Sequence, residues 1–226
     1  MSKKHGGQGG AMVLLSSVAA SRKSAARETA ARVAGGALAK EFLRAVGVEV
    51  VSHVTQIGSV RAGGVVSGDL ALADFAEVDA SPVRCLDAEA SRAMVEEINV
   101  LRKRNESLGG VFEVRAYGLV PGLGSHVSWE ERLDGRLAMA LASIQAVKGV
   151  GLGEGFDLAG KPGSEAHDEI FYSEERGYYR ETNRSGGLEG GMTTGEPLVV
   201  RCAMKPLPTL TKPLRSVDIA TREPAQ

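Results

Sequence analysis

Thr182–Gly195 reads T-N-R-S-G-G-L-E-G-G-M-T-T-G, and Glu196–Thr209 continues it as E-P-L-V-V-R-C-A-M-K-P-L-P-T. Five glycines crowd the first fourteen residues. The second half reads as a strand over Pro197–Met204, closed by Lys205 and stiffened beyond it by Pro206 and Pro208. Two readings of the glycines compete. They are a slack surface connection, or they let backbone approach a ligand more closely than any side chain would allow. The strand that follows needs partners, and the rest of the chain supplies them.

Upstream, helical and extended patterns alternate. From Ser24 a helix carries Val33, Ala37, Leu38, Phe42 and Val46 on one face, with Gly47 at the position of a C-terminal cap. Ala30, Ala34, Gly35 and Gly36 on the same helix would admit close packing of another element. A strand over Val48–Ile57 follows. Asp87 is placed to cap a second helix whose stripe is Ala90, Met94, Ile98 and Leu101. S-L-G-G leads into the strand V-F-E-V-R-A-Y-G-L-V, and P-G-L-G turns the chain. A third helix carries Leu133, Leu137, Leu141 and Ile144, ends at Gln145, and gives way to the glycine-rich strand V-K-G-V-G-L-G-E-G-F. Repeated strand-then-glycine turns suit mixed or antiparallel sheets better than a run of parallel crossovers. The fold class expected is α+β, with helices packed on sheets. Residues 1–22 show no sustained period and are read as a poorly patterned segment. Residues 23–226 form the patterned region.

Composition bounds the function. Twenty-nine glycines in 226 residues compare with roughly 16 at an average usage of about 7%. Aromatic residues make up only 4%, so the core falls to Val, Leu, Ile and Ala. A formal net charge of -1 argues against a general affinity for nucleic acid or acidic membranes. Cys85 and Cys202 make no disulfide framework and no metal-ligand spacing. No apolar run approaches the roughly 18 residues needed to span a bilayer, and the stretch A-M-V-L-L after the basic start is too short for a secretory leader. The expectation is a cytoplasmic protein.

Three features carry candidate chemistry. Arg22, Lys23, Arg27 and Arg32 cluster at the start of the first helix, where free N–H groups and partial positive charge make an anion site of Lys23, Ser24 and Arg27. The alternative is a solvated basic helix end. The glycines of 186–195 fit a backbone cradle around a phosphate or flat ring, or a long hairpin loop. They match neither a dinucleotide fingerprint nor a Walker motif. Lys205 stands rigidly at a strand end beside them, or guards an edge strand against aggregation. His167-Asp168-Glu169 is read as structural or capping, because neighbouring side chains point apart on regular elements. His53 is read as a satisfied strand residue. No metal site and no nucleophile triad is expected.

The motifs S-A-A-R-E-T-A-A-R-V-A, S-P-V-R-C, S-L-G-G-V, S-I-Q-A-V-K-G-V, G-S-E-A-H-D-E, T-N-R-S-G-G-L-E-G-G-M-T-T-G and A-M-K-P-L-P-T occur in that order. Together they resemble chorismate synthase, from about Lys23 to the end of the chain. The resemblance implies a β-α-β sandwich with helices between sheets, assembled into homotetramers. It implies conversion of 5-enolpyruvylshikimate 3-phosphate into chorismate and phosphate by a 1,4-anti elimination in the shikimate pathway. The cofactor implied is reduced FMN (FMNH2), with NADPH as a possible reductant for the flavin. The flavin contacts implied by motif are Lys23, Ser24 and Ala25, then Gln145 and Ala146, Gly190, and Lys205, Pro206, Leu207, Pro208 and Thr209. Arg27 is implied as a fixed cation at the catalytic centre, and Asn183 with its glycines as a pocket wall.

The departures matter equally. The family pattern has arginine and serine where this chain has Lys23 and Ala25, a loss of a planar donor fork and of a hydroxyl. His5 is the one candidate for the family's upstream histidine, and its neighbours K-K-H-G-G do not match. The family's first histidine motif and its later aspartate have no counterpart, so residues 23–226 are expected to be the central part of a single domain, truncated at both ends. Two functions follow as expectations: a chorismate synthase polypeptide, or a catalytically inactive remnant that binds flavin or pairs with intact subunits.

Overall fold

A computed structural model describes residues 23–63, 70–207, 210, 212 and 214–225, with residues 23–27 described by their backbone. In chain order the main elements are helix α1 (Lys23–Ala45), strands β1 (Glu49–Ile57) and β2 (Val60–Arg61), and helix α2 (Ala88–Lys103). Strand β3 (Gly110–Tyr117), helix α3 (Leu133–Ala142) and strand β4 (Val147–Leu152) follow. Two hairpins, β5 (Ile170–Ser173) with β6 (Gly177–Arg180) and β7 (Leu188–Glu189) with β8 (Met192–Thr193), precede strand β9 (Leu198–Met204). Strands β10 (Ser216–Val217) and β11 (Pro224–Ala225) pair near the end. The main sheet runs β2-β1-β3-β9-β4. Every pairing in it is antiparallel, which resolves the choice between mixed and antiparallel. β3 and β4 both run antiparallel to β9, which is inserted between them.

Each helix has local causes. The Asp87 carboxylate accepts from the Glu89 and Ala90 N–H groups at 2.9 and 3.0 Å, capping α2, while Arg102 and Lys103 complement the dipole at its last turn. α1 ends as Gly47 predicts: its φ is +84°. The Gly47 N–H donates to Arg44 O at 3.0 Å and the Val48 N–H to Leu43 O at 2.9 Å, the paired bonds of a left-handed helix terminus.

Strand alternation divides the sheet into an apolar and a polar face. Val200 and Cys202 of β9, Ala116 of β3 and Val147 of β4 form a buried cluster against Leu133, Leu137, Leu141 and Ile144 of α3 and its flank. Val54 and Ile57 of β1 meet Ala90 and the fully buried Met94 of α2. Burying a side chain of that size stabilises by about 1.5–3 kcal/mol. The opposite face carries His53, Glu113, Arg115 and Arg201. A 3₁₀ turn, Leu72–Phe75, lies over part of it, with the Phe75 ring edge-on to His53 at 5.3 Å. Val33, Leu38 and Phe42 of α1, and Val46 just beyond it, stay exposed. Nothing among the described residues comes within 4 Å of where a Cβ would stand at Gly35 or Gly36. The described residues thus give one large sheet with helices on its apolar face. The second layer of the expected sandwich is not among them.

Candidate functional site

Three segments that are far apart in sequence meet where β9 ends. The Lys205 N–H donates to Ala146 O at 2.9 Å, and Met204 pairs with Val147 of β4. Ala146 holds φ at +67°, a conformation that costs a residue with a Cβ roughly 1–2 kcal/mol. On the far side of Lys205, the Ser107 hydroxyl donates to Leu207 O at 2.8 Å. A Cβ at Gly109 would stand 2.4 Å from Met204 O and 3.0 Å from Pro206 Cδ, so only glycine lets that backbone pass. The Met204–Leu207 segment is therefore fixed from both sides.

The third segment is the start of α1. Gln145 Nε2 donates to Glu28 Oε2 at 3.3 Å. Arg32 donates to Glu28 Oε1 through Nε at 3.1 Å and Nη2 at 2.8 Å, and through Nη1 to Ser143 Oγ at 2.9 Å. Lys23, Ser24, Ala25 and Arg27 occupy the first turns of the same helix. Hydrogen bonds thus join the start of α1 to Gln145 and join Ala146 to Lys205, while Pro206 and Leu207 run on toward Gly109 and Ser107. His5, Pro208 and Thr209 lie outside the described residues.

Gly190 stands elsewhere. It is in the β7–β8 hairpin, whose Gly191 O accepts from the Leu133 N–H at the first turn of α3, whereas Gln145 follows the last turn. A ten-residue helix separates them by about 15 Å, so one ligand touching both must lie along α3. Gly190 has φ +59° and open space where a Cβ would be.

The other glycines of the stretch are explained without a ligand. A Cβ on Gly186 would lie 2.3 Å from Gly153 N, and one on Gly187 2.6 Å from Pro197 O. On Gly191 it would lie 2.7 Å from Ser125 O, and on Gly195 3.0 Å from Pro121 Cγ. These four glycines admit the chain's own backbone and side chains. Neither sequence reading anticipated that.

Asp168 anchors the same loop. Its Oδ1 accepts from Thr182 Oγ1 at 2.6 Å and the Arg184 N–H at 2.8 Å, and its Oδ2 from the Ser185 N–H at 2.9 Å. Burial alone would raise the carboxyl's pKa. The Thr182, Ser185 and Arg184 hydrogen bonds outweigh it and hold the pKa below the usual value of 3.8. A depressed folded-state pKa contributes stability present above the unfolded pKa and lost as pH falls through the folded one. Asp168→Ala is expected to lose about 2–3 kcal/mol at pH 7, with the gap to wild type narrowing below pH 4. Urea unfolding at both pH values measures it. A gap that stays constant on acidification contradicts the assignment.

Asn183 donates to Pro197 O at 2.7 Å and lines a cleft of about 770 Å³ with Arg115, Arg176, Arg180 and Arg184. This cleft also borders Val199, near the start of β9, the opposite end of that strand from Lys205. Cys85 and Cys202 are buried, and burial pushes the Cys202 thiol up to about 11, so it offers no thiolate at neutral pH. Among the described residues no cluster of His, Cys, Asp or Glu could hold a metal ion, and no helix is long and apolar enough to cross a membrane.

Sequence reasoning missed Glu28, Arg32 and Ser143 as links between segments. Their only local signal is the Glu28–Arg32 spacing of four residues, which places both on one helix face. Nothing local points to Ser143 or Gln145, over a hundred residues away.

The chain was also compared with known proteins. The family described as Chorismate synthase matches residues 15–226. A chorismate synthase of Alkaliphilus metalliredigens is 55% identical over 201 residues, covering 89% of this chain and 52% of that protein. One of Symbiobacterium thermophilum is 57% identical over 199 residues, covering 88% and 51%. A solved crystal structure of chorismate synthase superposes with a TM-score of 0.76 at 45% identity, covering 80% of this chain and 56% of that one. The chain spans about half the length of the curated relatives it matches. With the family matched over nearly all of its residues, and with the same fold, this chain belongs to the chorismate synthase family.

Proposed function

We propose that this chain supplies the flavin-binding part of a chorismate synthase, for the 1,4-anti elimination of phosphate from 5-enolpyruvylshikimate 3-phosphate. The observation that carries the reading is the joining of three motif segments by hydrogen bonds: the Lys205 N–H bonded to Ala146 O, and Gln145 bonded to Glu28. The donor set fits a flavin mononucleotide. Lys23, Arg27 and Lys205 are cations for its phosphate, Ser24 and Gln145 offer neutral hydrogen bonds, and Gly190 leaves open room at the far end of α3. Ala25, Pro206, Leu207, Pro208 and Thr209 complete the proposed contact set.

Within this reading Arg27 and Lys205 bind and neutralise anionic oxygens, and arginine's planar fork suits bidentate contact to phosphate or carboxylate. Reduced FMN, when bound, supplies electron density to a reaction that has no net redox change. The fixed Met204–Leu207 backbone sets where the Lys205 side chain starts, so that less of the segment has to be ordered on binding. NADPH as the source of reducing equivalents, a homotetrameric assembly and a cytoplasmic location belong to the same proposal.

The test is an anaerobic titration of the folded chain with reduced and oxidised FMN, with and without 5-enolpyruvylshikimate 3-phosphate. Saturable binding tightened by the substrate is expected. Lys205→Ala should weaken it about tenfold, equivalent to about 1.4 kcal/mol. A chain that is folded by circular dichroism yet binds no flavin overturns the reading.

A further inference from the structure

We infer that Glu28 is a positioning residue for the flavin site: it fixes which end of the Gln145 side-chain amide is offered to the ligand. The inference rests on the flavin reading above. A carboxylate at neutral pH can only accept hydrogen bonds. Gln145 must therefore turn its NH2 group to Glu28 Oε2, as the 3.3 Å contact has it, and its amide oxygen points elsewhere. Among the described residues that oxygen accepts no hydrogen bond from a side chain or from backbone. Gln145 is thus set as an acceptor for an N–H group, which a flavin ring carries and a bare phosphate does not.

Glu28 is held for this task by Arg32. Both the Nε and Nη2 groups of Arg32 bond Oε1, at 3.1 and 2.8 Å, leaving Oε2 for Gln145. The third Arg32 nitrogen, Nη1, bonds Ser143 Oγ at 2.9 Å. That hydroxyl spends its own hydrogen on Ala140 O at 2.6 Å, so it is an acceptor with a fixed direction at the end of α3. The result is a clamp in which α1 grips the turn that carries Gln145 and Ala146. The side chains of the Glu28–Arg32 pair remain 50% and 43% exposed, so the clamp adds little to folding. Its effect falls on ligand geometry.

The test compares FMN affinity, read from the flavin's absorbance and fluorescence, for four full-length chains: wild type, Glu28→Ala, Gln145→Ala and the double variant. Glu28→Ala and Gln145→Ala should each weaken binding about tenfold, and the double variant should be no weaker than either, because one acts through the other. Melting temperatures should stay close to wild type. Independent, multiplying losses overturn the inference, as does a Glu28→Ala chain that binds like wild type. If Glu28→Ala does not fold, Arg32→Gln in its place should show the same lack of additivity with Gln145→Ala. A folded wild type that binds no flavin removes the functional reading itself, an outcome distinct from normal wild-type binding with an inert Glu28.

Discussion

Glu113→Ala is expected to cost about 3–5 kcal/mol, a large share of the roughly 5–15 kcal/mol that holds an ordinary domain folded. Glu113 on β3 is fully buried beside the fully buried His53 of β1, and the two are register partners. Its Oε1 accepts from Arg115 Nε at 2.6 Å and stands 3.3 Å from His53 Nε2. Burial alone would raise its pKa, but the His53 hydrogen bond and the Arg115 charge outweigh that and hold it below the usual value. The group is thus an ionised carboxylate inside the protein. Removing it takes an acidic partner from a guanidinium that is only 4% exposed and leaves His53 Nε2 without the carboxylate it faces, so buried polar groups lose compensation for their desolvation. Exposed pairs of this chain, such as Arg44 with Glu41, are worth about 0–1 kcal/mol by comparison. Urea denaturation of Glu113→Ala against Glu41→Ala measures the contrast. Equal, small losses would show that the buried network does not hold β1 to β3.

Much of this architecture is legible from local pattern, because the determinants are local. Asp87 and the stripe from Ala90 to Ile98 specify α2, Gly47 ends α1, and the leucines from Leu133 to Leu141 specify a helix that packs on Val200 and Cys202. What escaped depends on contacts distant in sequence. Pattern alone makes His53 a satisfied strand residue, but only its Nε2 has a partner, sixty residues away across the sheet, while its buried Nδ1 has none among the described residues. The hairpin Ile170–Arg180 was not read, although F-Y-S and G-Y-Y-R alternate around Gly177, whose φ is +68°. Val33, Leu38 and Phe42 of α1 all stay exposed and spread over about half of the helix circumference, so the single apolar face expected of this helix does not form. The candidate site divides the same way. Motifs named Lys205, Gln145 and Ala146 one by one, but only the antiparallel seating of β9 beside β4 brings them together.

Gly186→Ala carries the sharpest consequence of that distance in sequence. Gly186 has φ +69°, and an added Cβ would stand 2.3 Å from Gly153 N, 2.5 Å from Gly153 Cα and 2.8 Å from Val199 O. None of these atoms is the free end of a side chain. Gly186 O accepts from the Val199 N–H at 3.0 Å and Gly153 N donates to Val199 O at 2.9 Å, so the loop, the end of β4 and the start of β9 are locked into one another. A left-handed alanine costs about 1–2 kcal/mol and overpacking a further 1–3. A loss of about 2–5 kcal/mol in urea unfolding is therefore expected. Gly190→Ala is the control: its φ of +59° carries the conformational cost, but nothing lies within 4 Å of the new atom. It should lose only about 1–2 kcal/mol and stay folded, so its flavin titration reads ligand contact rather than folding. If Gly186→Ala proves as mild as Gly190→Ala, the glycines at Gly186 and Gly153 are not there for backbone packing, and the case for a ligand cradle across the whole stretch reopens.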